Sequence, residues 1–427
     1  MKKLLRPGIK LKRWVLMFFA GILSFLLFLL IAFGDEFAAF ISLVNRQLNT
    51  VFSLPLSGIY PKLVIEIILL LAGIIFLVLS MKHLLGILVN ALLPDKKGRI
   101  ASLIYRHVER ENAPKIVVIG GGTGLNSMLR GLKEFTNNIT AIVSVSDEGG
   151  SSKKLRYEYG VLPPGDIRNC IVALSDSGPL MAKLMEYRFS KGKGLEGHSF
   201  GNLLITALSK ITGSFEKAVL EAGKIFAIRG RVLPVTLQQT SLCAELENGK
   251  RIQKEPEVEE HKTKYKSEIK RLYLKPANVK AYPQSVDAIK KADIIILGPG
   301  SLYTSILPNL LVKEIREAVR KSKAAKAYIC NVMTQPGETD DYKASDHLKR
   351  VVEYLGEGAL DHMIVNSRKA GEGLYRRYRK EGAKRVKIDE DVIEGFGVEL
   401  VKTDLLSQKN LLRHDPRKLA KAVLRLV

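Results

Sequence analysis

Four short apolar runs in the last three-quarters of the chain each lead straight into a glycine-rich or polar loop. Residues 116–119 precede Gly120-Gly121-Gly122-Thr123-Gly124-Leu125, and residues 139–145 precede Ser146-Asp147-Glu148-Gly149-Gly150-Ser151-Ser152. Residues 294–297 precede Gly298-Pro299-Gly300-Ser301, and residues 327–330 precede Asn331-Val332-Met333-Thr334-Gln335-Pro336-Gly337-Glu338-Thr339. In a parallel sheet the loops that follow strands open on one edge, where α/β proteins hold ligands. Glycines there let backbone N–H groups approach phosphate oxygens, and a following helix N-terminus adds positive potential. The pattern predicts an α/β fold with a mostly parallel sheet and helices on both faces. It also predicts one crevice for a phosphorylated ligand.

The N-terminus differs in kind. Residues 14–33 are apolar over about the 20 residues that span a bilayer, and residues 63–80 form a second run broken only by Glu66. Residues 37–39 make a poor signal-peptide cleavage site, and a second run follows. Two transmembrane helices are expected, with residues 1–81 as a hairpin. The second run has a plainer reading as a buried soluble helix. Lys2, Lys3, Arg6, Lys10, Lys12 and Arg13 precede the first run, and Lys82, Lys96, Lys97 and Arg99 follow the second. By the positive-inside rule both termini and the main domain lie on the cytoplasmic side of the cytoplasmic membrane. Residues 82–114 read as a basic juxtamembrane linker along the anionic inner leaflet, or as a plain solvated linker.

The 427 residues carry a formal net charge of +24, which favours anionic partners without choosing among them. Part of the excess belongs to the membrane flanks. Helix-turn-helix, RRM and zinc patterns are missing, which argues against nucleic acid. Cys170, Cys243 and Cys330 are far apart and form no CxxC, so neither a disulfide framework nor a zinc site is indicated.

From residue 115 onward the chain reads as strand, glycine turn, helix and strand, with Asp147 at the end of the second strand. Gly120 and Gly122 fit a dinucleotide fingerprint, but Leu125 stands at the third glycine position, so the match to an NAD-binding motif is weak. Pro163-Pro164-Gly165-Asp166-Ile167-Arg168-Asn169 follows. Asp166 suits a helix cap over 167–174 or a ligand contact. Arg168 and Asn169 fall in the first turn, where an arginine gains nothing from the helix dipole and suits a phosphate or carboxylate. Glu196-Gly197-His198-Ser199-Phe200-Gly201-Asn202 precedes an apolar helix over 203–211, with Ser199 or Asn202 as its cap. His198 reads as structural when alone and as a pocket group in this company. Residues 232–283 look like a small β insertion, with Glu247-Asn248-Gly249-Lys250 as a hairpin turn and a solvated charged arm over 255–270.

Six motifs in order, from GGGTGL at Gly120 to NVMTQPGET at Asn331, resemble the CofD-like family, and within it the YvcK type, the gluconeogenesis factors. The resemblance covers 115–427. It implies a Rossmann-like sheet with additions and a binder of nucleotide-sugars linked to carbon source, cell-wall precursor supply and cell shape. Glu148, Lys153 and Lys154 depart from the family pattern. On this reading the chain is a membrane-anchored regulatory factor whose ligand is a UDP-sugar. Gly120, Gly121, Gly122, Thr123 and Gly124 hold the diphosphate, and Asp147 bonds a hydroxyl. Gly149, Gly150, Ser151, Ser152, Asp166, Arg168, Asn169, His198, Ser199 and Asn202 complete one side. Gly298, Gly300, Ser301, Asn331 and Thr334 supply the facing wall. The alternative is a CofD-like phosphotransferase, with Asp147 and Asp166 on Mg²⁺ and Asp166 or His198 as the catalytic group. An unidentified protein partner and a homo-oligomer belong to the regulatory reading.

Overall fold

The computed structural model describes residues 110–407 and 412–426, with four single residues near position 40. The two runs expected to span a bilayer, 14–33 and 63–80, lie outside the described residues. Among the described residues no helix is long and apolar enough to cross a membrane. The chain divides into two compact units, Met1–Glu109 and Arg110–Val427; the second is described here.

Seven strands form one parallel sheet: β1 (Ile116–Gly120), β2 (Ile139–Val143), β3 (Arg231–Pro234), β7 (Ile294–Leu297), β8 (Ala325–Ile329), β9 (His362–Asn366) and β10 (Glu399–Thr403). Their spatial order is β10-β9-β8-β7-β1-β2-β3. Every residue of β1, β2 and β7 is buried. That accounts for their near-continuous apolar runs, since a strand covered on both faces has no solvent side to mark. Register is in step across the centre, with Ile116 beside Ile139 on one side and Ile294 on the other.

From β1 the chain winds outward through β2 to β3, then returns to β7 and winds the other way through β8 and β9 to β10. Right-handed crossovers place the two sets of connections on opposite faces. Between β1 and β7 the order reverses, and in such sheets the crevice at the strands' carboxyl ends is where ligands sit.

Two expectations need correcting. The insertion does not begin at 232, because that segment is β3, the edge of the parallel sheet, paired with β2. The separate small sheet is β5-β4-β6, made of β4 (Ser241–Leu246), β5 (Arg251–Ile252) and β6 (Ile269–Lys275). Its β4–β5 hairpin turns at Gly249, which has φ +82°. Nor is 255–270 a solvated arm. It folds into two short helices, Glu255–Glu259 and His261–Tyr265, and then enters β6. Val258 and His261 are fully buried within that charged stretch, which overall composition concealed.

Candidate functional site

The β1 and β7 loops meet at the switch point with no room for side chains. A Cβ on Gly124 would lie 2.5 Å from the Pro299 carbonyl oxygen and 2.9 Å from Gly300 N. Asn331 Nδ2 donates to the Gly300 carbonyl at 2.7 Å, tying the β8 loop to the β7 loop. The helix Gly122–Leu132 starts here with its N-terminus toward the cleft. The N–H groups of its first turn have no intrahelical acceptor.

These loops bound a cleft of about 380 Å³. Gly122, Thr123 and Gly124 form one side, and Gly300, Ser301 and Asn331 face them. The remaining wall carries four carboxylates, Asp147, Asp166, Glu255 and Glu259. No lysine, arginine or histidine among the described residues lines it.

Asp166 is not the helix cap. The helix Gly165–Leu174 begins two residues earlier than expected, with Pro164 as its N-cap. Instead Asp166 accepts hydrogen bonds from the Gly122 N–H and the Asn169 side chain, yet burial, aided by Asp147, pushes its carboxyl up to about 6. A Cβ on Gly121 would meet Asp166 Oδ2 at 2.5 Å, so this glycine lets the carboxylate reach the turn. Asp147 lies four residues beyond β2, and its Oδ1 accepts the Gly149 N–H at 2.8 Å. Glu255 takes the Glu148 N–H, but burial, with Asp147 and Glu259 nearby, pushes it up to about 8.

The β7 loop leads into one π-helical turn, Leu302–Ile306. Glu338, fully buried, sits at its start and accepts from Ser301 Oγ and from the Tyr303 N–H at 2.9 Å. Its other oxygen has no partner, and burial pushes the carboxyl up to about 7.

Several expected ligand groups do not line the cleft. Arg168 is bonded within the protein: Nη1 donates to Ser199 Oγ and to Asn202 Oδ1 at 3.0 Å, and Nη2 to Asn169 Oδ1 at 2.8 Å. Ser199 caps the helix Phe200–Thr212 by accepting the Asn202 N–H. His198 is buried, with Nδ1 2.9 Å from Ser151 Oγ, which also accepts from Asn202 Nδ2. Burial lowers the His198 pKa. These six residues form one polar network joined to the cleft through Asn169 and Asp166. Thr334 also faces inward, its Oγ1 accepting the Lys384 N–H at 2.9 Å. Gly120 closes β1, and its carbonyl accepts from Ser144 N. Glu148 pairs with Arg156 at 3.3 Å, and Lys153 and Lys154 are exposed. The departures from the family pattern therefore lie outside the cleft lining.

Glu255, Glu259, Ser144, Thr304, Ser305 and Gln335 line the cleft and were not singled out in the sequence. Ser305 and Gln335 had a signal, since each follows a strand-end loop. Glu255 and Glu259 had none, because the strands of the small sheet deliver them from a distant part of the chain.

Residues 116–406 match the family described as 2-phospho-L-lactate transferase CofD. The Bacillus subtilis gluconeogenesis factor is 47% identical over 308 residues, covering 72% of this chain and 96% of that protein. A relative from Nostoc sp. is 42% identical over 427 residues, 99% of this chain and 92% of its own. A crystal structure of a UPF0052-family protein from Bacillus halodurans superposes with a TM-score of 0.70 at 44% identity, covering 73% of this chain and 99% of that one. The chain belongs to the CofD family, and within it to the gluconeogenesis factors.

Proposed function

We propose that the cleft binds a nucleotide-sugar, a UDP-sugar, together with a divalent cation, and that the chain is a regulatory factor held at the cytoplasmic membrane. One observation carries the ligand reading. A glycine turn and a helix N-terminus, both suited to phosphate, face four carboxylates with no basic side chain in the lining. A diphosphate brought there alone would meet like charge, so the ligand has to arrive with positive charge. Among the described residues no three His, Cys, Asp or Glu side chains are grouped to hold a metal ion. Mg²⁺ needs no such cage: it uses one or two carboxylates with phosphate oxygens and water. Asp147 and Asp166 fit that donor set. The cation supplies charge neutralisation between the phosphates and these carboxylates. Thr123 and Gly124 then offer first-turn N–H groups to phosphate, and Glu255 and Glu259 accept from sugar or ribose hydroxyls.

The regulatory reading rests on kinship with gluconeogenesis factors and on His198. That side chain is buried in a network away from the cleft, so of the two groups expected to act as acid or base, Asp166 and His198, only Asp166 lines it. The competing reading, a phosphotransferase like the enzyme the family is named for, draws on the same Asp166, whose carboxyl near 6 suits proton transfer. The two separate in one experiment. The domain 110–427 is titrated calorimetrically with UDP-sugars and GDP compounds, with and without Mg²⁺, and the mixtures are assayed for product. Saturable UDP-sugar binding without turnover is expected. Product formation abolished by Asp166→Asn would make the chain a transferase.

A further inference from the structure

Seven of the sixteen residues from Glu372 to Lys387 are lysine or arginine, against two carboxylates. Most lie on the helix Glu372–Lys380 and the segment that follows it. The inner side of that helix is spoken for. Tyr375 packs with Val332, Leu406 and Leu412, and its hydroxyl accepts the Ala370 N–H at 3.1 Å. The Tyr378 hydroxyl accepts the Leu412 N–H at 3.2 Å. The outer side is almost wholly cationic. Arg379 pairs with Glu372 and Lys384 with Asp341. Arg376, Arg377, Lys380, Arg385 and Lys387 have no carboxylate partner among the described residues, and all but the half-buried Arg385 are exposed.

Beside them lies a pocket of about 620 Å³, lined by the apolar Met333, Val386 and Ile388 and by the cations Arg379, Lys384, Arg385 and Lys387. Apolar side chains beside cations suit the headgroup end of an anionic phospholipid: phosphate against the cations and headgroup carbons against Met333, Val386 and Ile388. Nucleic acid fits less well, because single strands stack on exposed aromatic rings, and both tyrosines of this helix are turned inward with their hydroxyls engaged. The chain also carries two N-terminal runs of bilayer-spanning length, 14–33 and 63–80, so a membrane is the polyanionic surface its own sequence points to.

We propose that the face formed by Glu372–Lys380 and residues 384–387 docks on anionic phospholipid, with the cavity taking a headgroup. Polybasic segments bind such surfaces at about 1 kcal/mol per Lys or Arg, roughly fivefold each. This surface is separate from the nucleotide cleft, so either proposal can fail alone.

The domain 110–427 is suitable for the test, because the Bacillus halodurans protein of known structure consists almost entirely of this domain. It is sedimented with phosphatidylcholine vesicles that contain or lack phosphatidylglycerol. Binding is expected only with phosphatidylglycerol, and high salt should release it. Changing Arg376→Gln, Arg377→Gln and Lys380→Gln together should lower the partition coefficient by about 100-fold, with thermal stability and nucleotide-sugar affinity unchanged. Equal binding to both vesicle types, no binding to either, or a triple variant that binds like the parent would overturn the proposal. So would a single-stranded oligonucleotide that binds more tightly and displaces the vesicles.

Discussion

Glu255 shows how one side chain can couple the cleft to pH. Its carboxyl is pushed up to about 8 by burial and by neighbouring carboxylates, and that of Glu338 to about 7 by burial. Both therefore hold protons in the folded chain at pH values where the unfolded chain has released them. Stability then falls as pH rises from their ordinary range, near 4.5, to about 8. His347 and His414, each lowered to about 4 by burial, act in the opposite sense, but only below about pH 6.5. The clear window is about pH 6.5 to 8.5. The melting temperature of the ligand-free domain should fall across it by roughly 5 °C, and Glu255→Gln should flatten that slope. An unchanged slope in the variant would mean that Glu255 is ionised throughout. At Gly124 the constraint is steric. Alanine there would drive its Cβ into the Pro299 carbonyl, so Gly124→Ala should cost about 1–3 kcal/mol and weaken ligand binding, read by denaturant melts and calorimetry.

Between elements, Arg168 links the helix Gly165–Leu174 to Phe200–Thr212 by two hydrogen bonds, to the cap Ser199 and to Asn202, and bonds Asn169 on its own helix. An arginine in a first turn suited a phosphate or carboxylate, but its partners here are a serine hydroxyl and two amide oxygens of the protein. Sequence spacing has no means of telling an internal acceptor from a phosphate. Arg168→Ala should therefore destabilise the domain by about 2–4 kcal/mol while leaving nucleotide-sugar affinity within about twofold. Lost affinity with unchanged stability would return Arg168 to the ligand. The π turn at Leu302–Ile306 was equally illegible. It depends on Glu338, thirty-odd residues downstream, reaching back to Ser301 and Tyr303. The strand-and-loop pattern around β1, β2, β7 and β8 was legible because burial on both faces leaves continuous apolar runs and the switch point gathers the loops.

Across the domain 110–427, the order of seven parallel strands puts the β1 and β7 glycine loops together at one crevice, and the short helix Glu255–Glu259, between β5 and β6, adds acid to its wall. The first part follows from local pattern. The second follows from a long excursion between β3 and β7 that brings Glu255 and Glu259 across the sheet edge, which no local pattern announces. The domain 110–427 holds every described cleft-lining residue, so it should bind nucleotide-sugar within about twofold of the full chain. A much weaker isolated domain would show that residues 1–109 contribute to the site. The central claim is that phosphate and carboxylate share a cation in this cleft. Its most direct test is calorimetric titration of the domain with UDP-N-acetylglucosamine in Mg²⁺ and in EDTA, for the parent and for Asp147→Asn. The account predicts binding that requires Mg²⁺ and weakens at least tenfold, about 1.4 kcal/mol, in the variant. Equal affinity in Mg²⁺ and EDTA, untouched by Asp147→Asn, would contradict it.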